Sequence, residues 1–318
     1  MNLVVLDGHA VNPGDLSWDF LKVFGQVTVY EETVQEQVIP RIQDADIILI
    51  NKIVIDEALL QACPKLKLIC VLATGYNVVD CQACAKRNIP VCNVPAYGTN
   101  AVAQFTFSLL LELCNRVGHH DRLVKDGAWE KCTGFCFWDT PQMELAGKTL
   151  GIIGFGTIGR AVGRIAKAFG MQVLAYNRSR CAEGEAIGEY VDLDTLLTKA
   201  DIVSLHCPLT PETTQIINRD SLAKMKDGAI LLNTARGGVI NEEDVRQALE
   251  SGKLKGFAAD VVSREPILSS NPLLGAPNCI LTPHMAWAPI EARQRILDSV
   301  TASIQGYLDG KLVNSVNM

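Results

Sequence analysis

Hydrophobic residues fall in short runs separated by longer amphipathic stretches, and the alternation repeats along the chain. Leu3 to Leu6, Val27 to Tyr30, Ile47 to Ile50 and Leu68 to Val71 read as strands of a first α/β unit over residues 2 to 96. Helical stretches lie between them, and Pro64 and Pro90 punctuate the turns. A second series follows at Thr149 to Ile153, Gln172 to Tyr176, Asp201 to Leu205, Ala229 to Leu232, Gly256 to Val262 and Cys279 to Leu281. Between the series, Ala101 to Asn115 is apolar on nearly every face and predicts a buried helix, with Thr99 or Asn100 as its cap. That helix is either a core element of its own domain or the core of a dimer. Residues 119 to 147 show no period and predict an irregular excursion carrying Trp129, Phe135, Phe137 and Trp138, an arm suited to packing on a second subunit. The last helix, Glu291 to Leu308, is amphipathic.

The stretch from 149 to 178 carries the sharpest signal. The strand Thr149 to Ile153 runs into Gly154, Gly156 and Gly159, a G-x-G-x-x-G turn. A helix then starts at Thr157, with Ile158, Val162, Ile165, Ala166 and Phe169 on one face, and ends at Gly170 before the next strand. This is a βαβ unit of the dinucleotide-binding kind. The first glycine permits the tight turn, the second lets a pyrophosphate approach the backbone, and the third lets helix and strand pack closely. The helix N-terminus then faces the phosphates with free N–H groups.

NAD-specific units place an acidic residue at the end of the second strand to hold the ribose 2′-hydroxyl. Asn177 stands there instead, followed by Arg178, Ser179 and Arg180. No carboxylate repels a 2′-phosphate and two guanidiniums are at hand, so NADP(H) is favoured. NAD(H) is the alternative, with Asn177 serving the ribose and the arginines solvated.

Arg236, Glu265 and His284 each follow a separate strand, as Gly154 does. In an open parallel sheet such positions converge at the carboxyl edge. An arginine can fork onto a carboxylate or carbonyl oxygen, a histidine can exchange a proton with that oxygen, and a glutamate can hold the imidazole protonated for reduction. His206, at another strand end, can reach the cofactor, whereas His9, His119 and His120 are expected at surfaces. Two early loops, Asn51-Lys52 and Ala73 to Asn77 (with Thr74 and Gly75), are either plain turns or backbone cradles for a carboxylate.

Composition narrows the class. The chain has 318 residues, enough for two domains, and a net charge of −6, which argues against a nucleic-acid surface. Residues 1 to 20 lack a basic start, and the most apolar stretch, Ala101 to Leu111, is too short to span a bilayer. No signal peptide and no membrane association are expected. The eleven cysteines, Cys81 and Cys84 among them, are expected as reduced thiols in a cytoplasmic protein, with no metal site.

Taken together, Gly-Phe-Gly-Thr-Ile-Gly-Arg (154 to 160), His-Cys-Pro-Leu-Thr-Pro-Glu-Thr (206 to 213), Asn-Thr-Ala-Arg-Gly-Gly (233 to 238), Asp260 with Glu265-Pro266, and Thr-Pro-His (282 to 284) resemble the D-isomer-specific 2-hydroxyacid dehydrogenases over essentially the whole chain. The resemblance implies an α/β fold of two Rossmann-like, doubly wound parallel-sheet domains. A dinucleotide-binding Rossmann domain, 99–286, would be inserted in a flavodoxin-like substrate-binding domain made of 1–98 and 287–318. It implies that Arg236 binds and polarises the substrate, Glu265 supports the histidine, and His284 gives the proton. Cofactor contacts are implied for Gly154, Phe155, Gly156, Thr157, Ile158, Gly159, Asn177, Arg178, Ser179, His206, Cys207, Pro208, Thr213, Thr234, Ala235, Asp260 and His284. Substrate contacts are implied for Lys52, Thr74, Gly75, Arg236 and His284. A homodimer built on the 101 to 115 helix and the arm is implied as well. Phe137-Trp138-Asp139 and His284 to Ala288 resemble the glycerate dehydrogenases, or hydroxypyruvate reductases, within the family, and no regulatory domain is expected after residue 318. The activity expected is reduction of a small 2-keto acid, hydroxypyruvate or glyoxylate, to its D-2-hydroxy acid. A D-lactate-type dehydrogenase for apolar keto acids and a nucleotide-sensing, corepressor-like binding protein are the alternatives.

Overall fold

Every strand pairs in parallel with its neighbours, so each connection crosses a sheet face, usually as a helix. The computed structural model describes residues 1–318, and the chain divides into two units, Met1–Gly98 with Ala288–Met318, and Thr99–Trp287.

The first unit starts with β1 (Asn2–Val5), β2 (Gln26–Val29), α1 (Val38–Ile42), β3 (Ile47–Ile50), α2 (Glu57–Ala62), β4 (Leu68–Val71), α3 (Cys81–Lys86) and β5 (Val91–Cys92). The strand order is β2-β1-β3-β4-β5, the flavodoxin-like order, which reverses between β1 and β3. Every residue of β3 and β4 is buried because helices cover both faces. Asp56 and Asp80 cap α2 and α3 by accepting from the amides of Leu59 and Ala83.

The second unit holds α4 (Thr99–Asn115), α5 (Val117–Lys125), β6 (Thr149–Ile153), α6 (Thr157–Ala168), β7 (Gln172–Tyr176), α7 (Ala182–Glu185), β8 (Glu189–Tyr190), α8 (Leu193–Lys199), β9 (Ile202–Leu205), α9 (Arg219–Lys224), β10 (Ala229–Asn233), α10 (Glu242–Glu250), β11 (Leu254–Ala259) and β12 (Cys279–Leu281). Its order, β12-β11-β10-β9-β6-β7-β8, is that of the dinucleotide-binding fold, reversing between β6 and β9. The last helix, α11 (Ile290–Leu308), returns to the first unit. There the amide of Val316 donates to Val91 O, so the C-terminal segment runs beside β5.

The structure corrects several local expectations. Thr99 is the first residue of α4, not a cap before it. That helix is exposed only along Asn100, Gln104 and Ser108, one stripe at four-residue spacing. The start of the 119 to 147 stretch, expected to be irregular, belongs to α5 (Val117–Lys125), which buries none of its residues and so leaves no apolar stripe to recognise. Phe169 is 40% exposed and stacks on Phe107, with ring centroids 5.3 Å apart; the buried face of α6 is Gly159, Ala161, Val162, Gly163 and Ala166. β11 ends at Ala259, three residues before the expected Val262.

Candidate active site

The glycine turn is shaped by close backbone approach. Gly154 has φ +93°, and a Cβ there would lie 2.3 Å from the amide nitrogen of Cys207, so the 206–207 segment seats directly against the turn. A Cβ on Gly159 would lie 2.2 Å from Gly154 O. Gly156 is different: a Cβ would meet only open space, and Gly156 caps α6 with no side chain over the helix end. The first turn, Thr157 and Ile158, therefore presents uncapped N–H groups beside an open cradle, which fits a dinucleotide pyrophosphate.

Asn177 follows β7 with its side-chain amide committed on both sides. Its Oδ1 accepts from the Phe155 amide at 3.1 Å and its Nδ2 donates to Ser179 O at 2.8 Å. Arg178 and Arg180 are exposed, but the Arg180 guanidinium lies over the Tyr190 ring, 5.7 Å from its centroid. Of the two expected phosphate partners, Arg178 is the one without such a contact.

The 206–213 loop follows β9. His206 Nε2 bonds Ser204 Oγ at 2.8 Å while its Nδ1 is buried with no partner. Burial lowers its basicity to about 3, so the ring is neutral. Cys207 is buried, which pushes its thiol up. Thr213 Oγ1 donates to Pro208 O at 2.6 Å and accepts from the Thr210 amide at 2.8 Å, closing the loop on itself. Thr234 shares a 2.9 Å hydrogen bond with Thr106, and the buried Ala235 donates its amide to Asn233 Oδ1.

Arg236, exposed, sits on the turn after β10, its Nη1 donating to Ala235 O at 2.7 Å. His284 and Glu265 form a pair, Nδ1 to Oε2, at 2.7 Å. With Nδ1 on the carboxylate, Nε2 is the atom left to exchange a proton. His284 has φ +54°, a backbone state that costs a residue with a side chain ~1–2 kcal/mol. Asp260 offsets that cost. It is 2% exposed, and its carboxylate accepts from Thr282 Oγ1 at 2.6 Å and from the amides of Met285 and Ala286 at 2.9 and 2.8 Å. Hydrogen bonds to a charged group are worth ~1.5–3 kcal/mol each. Both carboxylate oxygens, expected at the cofactor, are thus engaged by the loop that carries His284.

In the first unit, the amides of Asn51 and Lys52 do cradle a carboxylate, but an internal one. Asp7 accepts from them at 2.7 and 2.6 Å, at the point where the strand order reverses. Burial pushes the Asp7 carboxyl up, against those two bonds. The Lys52 side chain is exposed. In the second loop, Thr74 Oγ1 donates to Val94 O at 2.7 Å and Asn93 holds Thr74 O, while Gly75 is exposed.

Two positioning residues escaped the sequence reading. Asn233, fully buried, donates from Nδ2 to Arg236 O at 3.0 Å and shapes the arginine turn. Glu242, in the first turn of α10, accepts from the Ser263 amide and hydroxyl at 2.7 Å each and so anchors the segment leading to Glu265. Asn233 stood inside a quoted motif, so its signal was present; Glu242 gave none, because its partner is 21 residues away.

Comparison with known proteins agrees with this geometry. A model of the D-isomer specific 2-hydroxyacid dehydrogenase NAD binding domain matches residues 107–286, more than half of the chain. The chain is 50% identical to a hydroxypyruvate reductase of Blautia hydrogenotrophica over 322 residues, covering 100% of both. It is 41% identical to a glycerate dehydrogenase of Methylorubrum extorquens over 290 residues, covering 90% of each. Among solved structures, the apo D-lactate dehydrogenase of Escherichia coli superposes with a TM-score of 0.88 at 27% identity, covering 99% of this chain and 100% of the other. The motifs, the two parallel sheets and these likenesses agree: the chain belongs to the family of D-isomer-specific 2-hydroxyacid dehydrogenases.

Proposed function

We propose that this enzyme reduces hydroxypyruvate to D-glycerate and, beside it, glyoxylate to glycolate. The observation that carries the chemistry is the 2.7 Å His284–Glu265 pair in the unit that holds the glycine turn. Glu265 holds Nδ1, and His284 gives the Nε2 proton to the substrate carbonyl oxygen as it becomes an alcohol. Arg236 forks onto the carboxylate and carbonyl oxygens and stabilises the charge that develops there. A bound nicotinamide supplies the hydride. Gly154, Phe155, Gly156, Thr157, Ile158 and Gly159 would hold the dinucleotide's pyrophosphate, and Lys52, Thr74 and Gly75 would contact the substrate.

The names of the two relatives support the substrate. Asn177, which brings no carboxylate to repel a 2′-phosphate, and the exposed Arg178 support NADP(H) as the preferred cofactor. Free cysteines support a cytoplasmic location, and no helix is long and apolar enough to cross a membrane. The exposed aromatics of the arm, Phe135 at 91% and Trp138 at 66%, support a homodimer built on α4 and that arm.

Turnover of purified protein with hydroxypyruvate, glyoxylate, pyruvate and longer apolar keto acids, each with NADPH and NADH, tests the reading. Highest kcat/KM with hydroxypyruvate supports it. Preference for pyruvate or an apolar acid assigns a D-lactate-type enzyme. Tight nucleotide binding without rapid turnover assigns a sensing protein.

A further inference from the structure

The peptide between His284 and Met285 is held at both ends. Its N–H, on Met285, donates to Asp260 Oδ1 at 2.9 Å. Its C=O, on His284, accepts from the indole Nε1 of Trp287 at 2.8 Å. This peptide follows the left-handed residue His284. Rotating it toward an ordinary extended or helical state would swing both groups off their partners and redirect the His284 Cα–Cβ bond. Asp260 alone does not prevent that motion, since its other oxygen still holds the Ala286 amide and its first oxygen still holds Thr282. The indole N–H is the contact that fixes the carbonyl side.

We infer that Trp287 is a positioning residue for the proton donor: its N–H locks the His284–Met285 peptide so that the imidazole keeps Nδ1 on Glu265 and presents Nε2 to the substrate. The inference rests on the reading of His284 as the acid. It concerns the indole N–H and assigns the ring no contact with substrate. With the lock removed, the backbone samples the relaxed state, the productive imidazole is populated a fraction of the time, and proton transfer slows while cofactor binding is untouched.

The test uses three full-length variants: Trp287→Phe, the same position carrying 3-benzothienylalanine (ring shape kept, N–H replaced by sulfur), and His284→Ala. Each is measured for kcat with hydroxypyruvate, KM for the nicotinamide cofactor, and the solvent deuterium isotope effect on kcat. Both Trp287 variants are expected to lose about 10-fold or more in kcat, to keep the cofactor KM within about 3-fold, and to show a larger solvent isotope effect than the parent. Loss of packing alone would leave the isotope effect unchanged. If Trp287→Phe fails to fold, the benzothienyl variant decides by itself. Parent-like kcat and isotope effect in the benzothienyl variant, with His284→Ala inactive, overturn the role of Trp287 and leave the acid assignment standing. Parent-like activity in His284→Ala overturns the acid assignment, and the inference with it.

Discussion

Gly237 and Val262 meet backbone to backbone: a Cβ on Gly237 would lie 1.9 Å from the carbonyl carbon of Val262. The turn that carries Arg236 is thereby seated on the segment that leads to Glu265. One contact sets the spacing of Arg236 and the histidine's carboxylate. Gly237→Ala must push the two strands' loops apart, and overpacking of this kind costs ~1–3 kcal/mol. We expect a lower melting temperature and a fall in kcat/KM of at least about 10-fold, measured by thermal unfolding and steady-state kinetics. Parent values for both would show that the turn accommodates the methyl elsewhere.

Arg236→Lys keeps the charge and loses the planar fork. A charged hydrogen bond is worth ~1.5–3 kcal/mol, and two are disturbed, so kcat/KM should fall by a factor of ~10² or more. Steady-state kinetics with hydroxypyruvate measure this, and unchanged constants would remove Arg236 from the site.

The strand–glycine–helix–strand run from 149 to 176 was legible residue by residue, because its turn demands glycine at fixed positions. The His284–Glu265 pair was legible for a different reason: parallel strands deliver their loops to one edge. What the sequence did not show were partners distant along the chain. The Asn51-Lys52 amides look like a carboxylate site, and only the fold brings Asp7 to fill it. α5 was missed because it follows Arg116, a residue at φ +46° with no side-chain cap, and buries nothing. β8 is two residues long and has no run to read.

The proposed preference for NADP(H) rests on the residues that follow β7. Asn177→Asp would put a carboxylate against a 2′-phosphate and remove the amide that donates to Ser179 O. We expect NADPH to lose ~10-fold or more in kcat/KM relative to NADH, by like-charge repulsion. Arg178→Ala should weaken NADPH more than Arg180→Ala does, because Arg180 rests on Tyr190. Kinetics with both cofactors check the order, and equal effects of the two arginines would contradict it.

His206 makes the fold sensitive to acid. The unfolded chain binds a proton at this ring near the ordinary histidine value of about 6.5, whereas the folded chain refuses it until about 3. Its stability contribution is therefore complete above about 6.5 and is lost as the pH falls toward 3. His206→Gln removes this term. The melting temperature of the ligand-free variant should fall less steeply from pH 7 to pH 5 than that of the parent; parallel curves would show that His206 is not held neutral.

The proton donor carries the account. His284→Ala, measured as kcat for hydroxypyruvate reduction beside the parent enzyme, is the most direct test. The geometry predicts a fall of ~10²–10⁴, the usual worth of a positioned acid, with cofactor binding nearly unchanged. Activity within a few-fold of the parent would mean that the 2.7 Å pair with Glu265 is structural and that another group protonates the substrate.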